Sequence, residues 1–393
     1  MKKVIIILLA AAVLLGGAVL LVSGPEFFHG EEGQDAPQTE INTGTEVPEQ
    51  PKPPTTEELL LEKISRMSLE EKVGQMFLVR CPELEPAAMI EEYQPGGLVL
   101  FGRDFKEKTP EQVRKANESY QAASRLPLII SADEEGGIVC RISIYPQFRA
   151  GQFWGPQALY ADGGLERIES DAAEKCQLLK DLGLNVNLAP VADVSESPED
   201  YIYKRTFGQD APATAEYVSW VVRVMKEEQV GSVLKHFPGY GGNVDTHVGF
   251  SCDRRPYETF LTEDFLPFQA GIEAGAGAVL VSHNIAECMD SEYPASLSPE
   301  VHRILREELN FSGVIITDDL VMDAILKQYG AEEAAVMAVK AGNDMLCCSN
   351  WKAQIPAVIE AVRAGEIPEA RIEESVLRVL LWKHNLGLDV LEE

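Results

Sequence analysis

Basic residues are scarce in this chain of 393 residues: 34 Lys and Arg stand against 63 Asp and Glu, for a formal net charge of -29. No basic run exceeds two residues. Proteins that hold nucleic acid draw much of their affinity from clustered cations that neutralise phosphates, so nucleic acid is not an expected partner. Other lacks narrow the field. The seven cysteines include no CxxC pair, no GxGxxG follows a strand-like run, and there is no HExxH and no internal repeat. Those gaps speak against a dinucleotide-binding fold, a zincin-type metal site and a solenoid. What is present is ordinary globular composition, 45% hydrophobic and 25% charged, which excludes wholesale disorder.

Residues 4–22 form a run without charge or strong polar group behind Lys2 and Lys3. As a helix it is long enough to span a hydrocarbon core of roughly 30 Å, with the lysines on the cytoplasmic side. Residues 22–24 offer a small-residue cleavage site, but the run exceeds the usual signal-peptide core of about 7–15 residues. Residues 1–24 are therefore expected to be a signal peptide or, with slight preference, a retained membrane anchor. The first cysteine is Cys81, so none closes the run to take a lipid. Residues 25–55 are rich in Pro, Glu and Thr, and the stretch 25–62 holds ten acids against one base, Lys52. This reads as a self-repelling linker. The folded domain is expected over 56–393, on the extracellular face. Helical periodicity starts there, with Leu59, Leu60, Ile64, Met67, Leu69, Val73 and Met76 in one stretch reaching residue 79. An odd number of scattered cysteines in an exported chain predicts mostly buried free thiols.

Within 56–393, short apolar runs (97–101, 127–131, 185–189, 233–234, 278–282, 313–317 and 344–347) alternate with amphipathic stretches (165–182, 211–228, 262–274, 299–310 and 331–341). Alternation of this kind implies a parallel sheet, open or closed. The residues that follow the strands decide which. Asp133, Glu134 and Glu135, then Asp193, Lys235 and His236, His283 and Asn284, and Asp318 and Asp319 each come directly after an apolar run. A barrel gathers all strand ends at one mouth, where such groups can share a site. An open sheet would spread them apart. The expected fold is α/β, a single (β/α)8 TIM-type barrel preceded by the N-terminal anchor and linker.

The densest chemical signal is residues 235–247, which join a strand end to a Gly-rich loop bearing Asp245 and His247. A carboxylate two residues from an imidazole can orient the ring and raise its pKa towards use as an acid near neutrality. A second signal is Thr317-Asp318-Asp319, where a carboxylate follows a buried strand. Asp319 could equally cap a helix. Asp133 and Arg141, eight residues apart, and Arg205 offer further polar groups suited to fixing hydroxyls or an anionic substituent.

Taken together and in order, ADEEGG…R, NLAPVADV, KRTFG, KHFPGYG…DTH, SHN…D…PASLS, GVIITDDLVM and AGNDML resemble glycoside hydrolase family 3 in its β-N-acetylglucosaminidase branch, over about residues 60–390. The resemblance implies a retaining exo-glycosidase without metal or cofactor. It implies Asp318 as nucleophile, His247 with Asp245 as acid/base dyad, and Asp133, Arg141, Arg205, Lys235 and His236 around the terminal sugar, with His283 in the segment after the next strand. The substrate would be a GlcNAc-containing glycan: a peptidoglycan fragment or muropeptide, or a chitooligosaccharide. The protein would be a monomer that meets the membrane through its N-terminal segment only. There are departures. The family's usual PGHG is PGYG here, with Tyr240 in place of histidine, the loop is one residue shorter, and Ile138 stands where an Arg often follows EEGG. The chain ends soon after residue 388, so the second domain that carries the acid/base of many family 3 β-glucosidases is not expected, and the barrel must supply its own.

Three other readings compete. Lys235 could form a Schiff base, His236, His247 and His283 could hold a metal, or the barrel could be an inactive, membrane-tethered carbohydrate-binding protein. A family 3 glucosidase or xylosidase pocket is a variant of the favoured reading. Because Arg141, Arg205, Lys235, His236 and His247 are all basic, this acidic chain is expected to hold a locally cationic pocket.

Overall fold

The computed structural model of the chain describes residues 53–242 and 251–392. The apolar run at 4–22, nearly all of the acidic linker, and Asp245 and His247 lie outside the described residues. No helix among the described residues is long and apolar enough to cross a membrane.

Two capping boxes shape the start of the domain. At α1 (Thr56–Arg66) the Thr55 hydroxyl accepts the Glu58 N–H while the Glu58 carboxylate accepts the Thr55 N–H, and Ser68 and Glu71 repeat the device at α2 (Leu69–Gln75). Each box satisfies two donors that a helix end leaves over. The periodic stretch expected as one helix is thus broken at Met67. Its end is also not helical: Phe77–Arg80 is the first strand, β1. A short apolar run fits either element by period alone, and burial of β1 on both sides selects the strand.

Seven more strands follow: β2 (Gly97–Leu100), β3 (Ile129–Ala132), β4 (Val186–Asn187), β5 (Gly231–Phe237), β6 (Ala278–Val281), β7 (Val314–Thr317) and β8 (Leu346–Cys348). All pair in parallel in the order β7-β6-β5-β4-β3-β2-β1-β8. The two edges meet through a parallel bridge between Ile316 and Met345, with Met345 N–H donating to Ile315 O at 3.0 Å and Thr317 N–H to Met345 O at 3.1 Å. The sheet is therefore a nearly closed eight-stranded parallel barrel. At least one helix follows each strand, the main ones being α3 (Pro86–Tyr93), α4 (Pro110–Ala123), α5 (Pro156–Asp181), α6 (Ala211–Glu227), α7 (Phe265–Ala274), α8 (Pro299–Arg303), α9 (Ala331–Ala341) and α10 (Trp351–Arg363). A last helix, α11 (Glu369–Asn385), follows α10.

Strand residues alternate between two cores, as the pleat requires. Leu78, Val99, Ile129, Val233 and Ile316 fill the barrel, while Phe77, Val79, Leu98, Ile130 and Ile315 face the helices. The lower end is stopped by Trp382 of α11, which joins the inner core. A Cβ on Gly277 would lie 2.1 Å from Trp382 Nε1, and one on Gly231 3.2 Å from Cζ2. Glycine at those two strand starts lets the indole in. With Trp382 filling the bottom of the inner core, the polar groups that follow the strands gather at the opposite end.

Lys383, beside Trp382, is fully buried and donates Nζ to Gln75 Oε1 at 2.6 Å. Burial pushes its ammonium down to about 7. Because the folded value lies below the unfolded 10.5, the unfolded chain binds the extra proton between them, and stability rises as pH rises from about 7 to 10.5. Urea titrations at pH 7 and pH 10 should show a smaller alkaline gain for Lys383→Met than for the parent chain. An equal gain would mean that Lys383 is not the group responsible.

Candidate active site

The site grows from the end of β5. Register against β6 shifts between Lys235 and Phe237, and such an irregularity re-aims side chains at a strand end. Lys235 and His236 both line the cavity at the barrel mouth. The Lys235–His236 peptide is cis. Lys235 Nζ lies 2.8 Å from Asp133 Oδ1 and 2.6 Å from Glu135 Oε1. Arg205, from a short 3-10 turn at Tyr203–Arg205, grips the same Glu135 with Nε at 3.0 Å and Nη2 at 2.7 Å.

Four charges are therefore fitted together under the mouth. Burial alone would push the Glu135 carboxyl up, but Lys235 and Arg205 hold it well below the usual carboxylate range. Burial likewise works against the Lys235 ammonium, and Asp133 and Glu135 reverse that and raise it. An ammonium so held is no amine nucleophile, which removes the Schiff-base reading. The expected cationic pocket is corrected too: Asp133 and Glu135 neutralise Lys235 and Arg205, so the site is a balanced ion network.

His236 is the next layer. Arg205 Nη2 lies 3.1 Å from His236 Nε2, and a guanidinium has only donors. Nε2 therefore accepts, and the ring proton sits on Nδ1, donated to Asp193 Oδ2 at 2.7 Å. Asp193 is fully buried and also accepts the backbone N–H of His236 (3.1 Å) and of Tyr240 (2.8 Å). The Tyr240 ring meets His236 edge-on, with centroids 5.3 Å apart. The tyrosine thus packs against the site histidine while its backbone is anchored by Asp193.

Asp133 reaches a second cation, Arg141 Nη2, at 3.5 Å. Between them in sequence, the short strands Glu134–Gly136 and Val139–Cys140 form a hairpin. The buried Glu134 carboxylate organises it by accepting the N–H groups of Arg141 (2.9 Å), Ile142 (2.8 Å) and Ser143 (3.2 Å). Arg141 is placed by this carboxylate. Its guanidinium and that of Arg80 also lie against the Phe101 ring, at 5.4 and 4.3 Å from the centroid.

On the opposite side, Asp318 follows β7, its N–H donating to Val281 O at 3.0 Å. Its Oδ1 accepts the Asp319 N–H at 2.8 Å. Asp319 is occupied differently: its carboxylate accepts the Ser349 hydroxyl and the Val321 N–H. It holds this turn, and Met322 occupies the N-cap position of the helix Asp323–Tyr329, so Asp319 is no helix cap. His283 is fully buried, with Nε2 donating to Asp319 O at 3.1 Å and Nδ1 2.7 Å from Ser296 Oγ. It supports the Asp318-Asp319 turn from beneath. With both nitrogens of His236 and of His283 engaged, neither ring has a lone pair left for a metal. Among the described residues no cluster of His, Cys, Asp and Glu is arranged to hold one.

A cavity of ≈ 470 Å³ opens over these groups, lined by Asp133, Arg141, Arg205, Lys235, His236 and Asp318 among others. Of the seven candidates that lie among the described residues, six line it and His283 stands behind. Sequence reasoning placed Glu135 and Asp193 at the mouth without giving them a role, and it missed Arg80. The first two were visible as carboxylates after strands. Arg80 also lines the cavity but closes the strand that was taken for helix.

A nearly closed parallel barrel with carboxylates, a histidine and paired cations at its C-terminal mouth is the arrangement of a barrel enzyme. The family model of the glycosyl hydrolase family 3 N-terminal domain matches residues 68–381, and the chain belongs to that family. It is 30% identical over 330 residues to the β-hexosaminidase LpqI of Mycobacterium tuberculosis, covering 81% of this chain and 83% of that protein. A β-hexosaminidase of Xanthomonas campestris pv. campestris is 34% identical over 255 residues, covering 64% and 76%. Among solved structures, a family 3 β-N-acetylglucosaminidase from Paenibacillus sp. FPU-7 superposes with a TM-score of 0.76 at 32% identity, covering 82% of this chain and 63% of that one.

Removing one partner from a buried ion network leaves uncompensated charge, at a cost of about 3–5 kcal/mol. Glu135→Ala should lose that much in urea unfolding at pH 7. Since the folded value of Glu135 is lowered, its stabilisation is complete above about pH 4.5 and is lost only as pH falls through that lowered value. A loss under about 1 kcal/mol would show that the network is not what secures the mouth.

Proposed function

We propose that the chain is a retaining, exo-acting β-N-acetylhexosaminidase that removes terminal β-linked N-acetylglucosamine from peptidoglycan fragments or chitooligosaccharides. The observation that carries this is the placing of Asp318 in one cavity with Asp133, Lys235 and His236, on a chain whose relatives are named β-hexosaminidase and β-N-acetylglucosaminidase. The Asp318 carboxylate attacks the anomeric carbon while the glycosidic C–O bond breaks, and the leaving oxygen takes a proton from His247. In the second half, His247 takes a proton from water, the water oxygen bonds to the anomeric carbon, and Asp318 leaves. Asp245 orients the imidazole and stabilises its charged form.

The remaining groups bind. Asp133 offers acceptor oxygens and Arg141, Arg205 and Lys235 offer donors to the sugar hydroxyls, while His236 is locked between Asp193 and Arg205. None of these steps requires a cofactor. The apolar residues 4–22 behind Lys2 and Lys3 support export, with the barrel acting outside the membrane as an anchored or secreted monomer.

The purified full-length chain should release p-nitrophenol from p-nitrophenyl β-N-acetylglucosaminide. Asp318→Ala should fall to background, and His247→Ala should lose about 10²–10⁴-fold in kcat. No turnover of that glycoside or of muropeptides would favour a carbohydrate-binding protein without catalysis. Faster turnover of the β-glucoside or β-xyloside would move the specificity.

A further inference from the structure

Residues 239–242 and 251–255 flank the segment that carries Asp245 and His247, and both flanks meet one ion cluster. Arg255 donates Nε and Nη2 to Asp253 at 2.9 and 2.7 Å, and Nη1 and Nη2 to Asp264 at 2.8 and 3.2 Å. Both carboxylates are buried, and the Phe260 ring backs the guanidinium with its centroid 4.5 Å away. Asp253 belongs to the trailing flank. That flank is bound into the fold by pairing of Cys252–Asp253 with Ile285–Ala286, where Ile285 N–H donates to Ser251 O at 2.8 Å and Glu287 N–H to Asp253 O at 2.9 Å. The leading flank lies directly on the same cluster. A Cβ on Gly239 would sit 2.2 Å from Asp264 Oδ1, and one on Gly241 2.5 Å from Arg255 Cζ. Both glycines have positive φ, 123° and 51°. Between them, Tyr240 N–H is tied to Asp193, the partner of His236.

We propose that Arg255 is a positioning residue for the acid/base step: by binding Asp253 in one flank and bearing on Gly241 of the other, it fixes the points where the segment that carries Asp245 and His247 begins and ends. The inference rests on the assignment of His247 as acid/base. Stability alone gives little reason for such a cluster, since a buried ion pair is often no better than an apolar replacement. A planar guanidinium with five donors, however, fixes directions as well as distances. A lysine could keep the charge but not the simultaneous grip on two carboxylates.

An acid/base that is misplaced hurts most where the leaving group needs its proton. The test is kcat/KM on two β-N-acetylglucosaminides, one with 2,4-dinitrophenol as leaving group and one with unsubstituted phenol, for the parent chain, His247→Ala, Arg255→Ala and Arg255→Lys. The ratio between the two substrates does not depend on how much of a variant is folded. We expect His247→Ala and Arg255→Ala both to shift the ratio against the phenyl glycoside by about ten-fold or more, with Arg255→Lys between. If His247→Ala shifts the ratio and Arg255→Ala leaves it unchanged, Arg255 is merely structural and the proposal fails. If His247→Ala itself leaves the ratio unchanged, the acid/base assignment beneath the proposal is what fails.

Discussion

Everything at the barrel mouth depends on one constraint: the Lys235 ammonium, with its side chain 3% exposed, must be neutralised where it stands. Asp133 and Glu135 do this from the end of β3 and the hairpin after it, and Glu135 brings in Arg205 from the segment after β4. Three connections of the barrel are thereby drawn onto one point. Arg205 in turn fixes the tautomer of His236, and Asp193 completes the chain of contacts by holding both the ring and the start of the Gly-rich loop. Ions so buried gain little unless every partner is present, and here that requirement orients the groups that would meet a sugar.

The two sides of the mouth are built on different principles. The β3–β5 side is held mainly through charge: Asp133 and Glu135 are matched to Lys235 and Arg205. The β7 side is rigid through neutral hydrogen bonds: Ser349, Val321 and His283 use up the polar atoms of Asp319, and they set the turn on which Asp318 sits. The net charge of the chain does not extend into a pocket of one sign. Acidic surface and balanced interior coexist.

Much of this was legible in the sequence, because a parallel barrel writes itself as apolar runs followed at once by polar residues. Seven of the eight strands were marked by such runs, and residues Asp133, Lys235, His236 and Asp318 fall where those runs end. β1 was not legible, since Phe77 to Val79 continue the spacing of the helix before them, and Arg80 was hidden with it. The role of Glu135 was hidden for another reason. Three acids in a row, Asp133, Glu134 and Glu135, look equivalent, yet the fold gives them three partners: Lys235 with Arg141, the backbone of 141–143, and Lys235 with Arg205. Long-range pairing of this kind has no local signature. Tyr240 shows the converse: a departure from the family motif whose backbone N–H is held by Asp193, the same carboxylate that holds the His236 ring.

The central claim is that Asp318 forms a covalent bond to the sugar. Its most direct test is mass spectrometry of the chain quenched during turnover of an activated 5-fluoro β-N-acetylglucosaminide, which forms a glycosyl-enzyme faster than it releases it. The account requires a single glycosyl adduct on the peptide containing Asp318. An adduct on another residue, or release of the inverted anomer with no adduct at all, would contradict it.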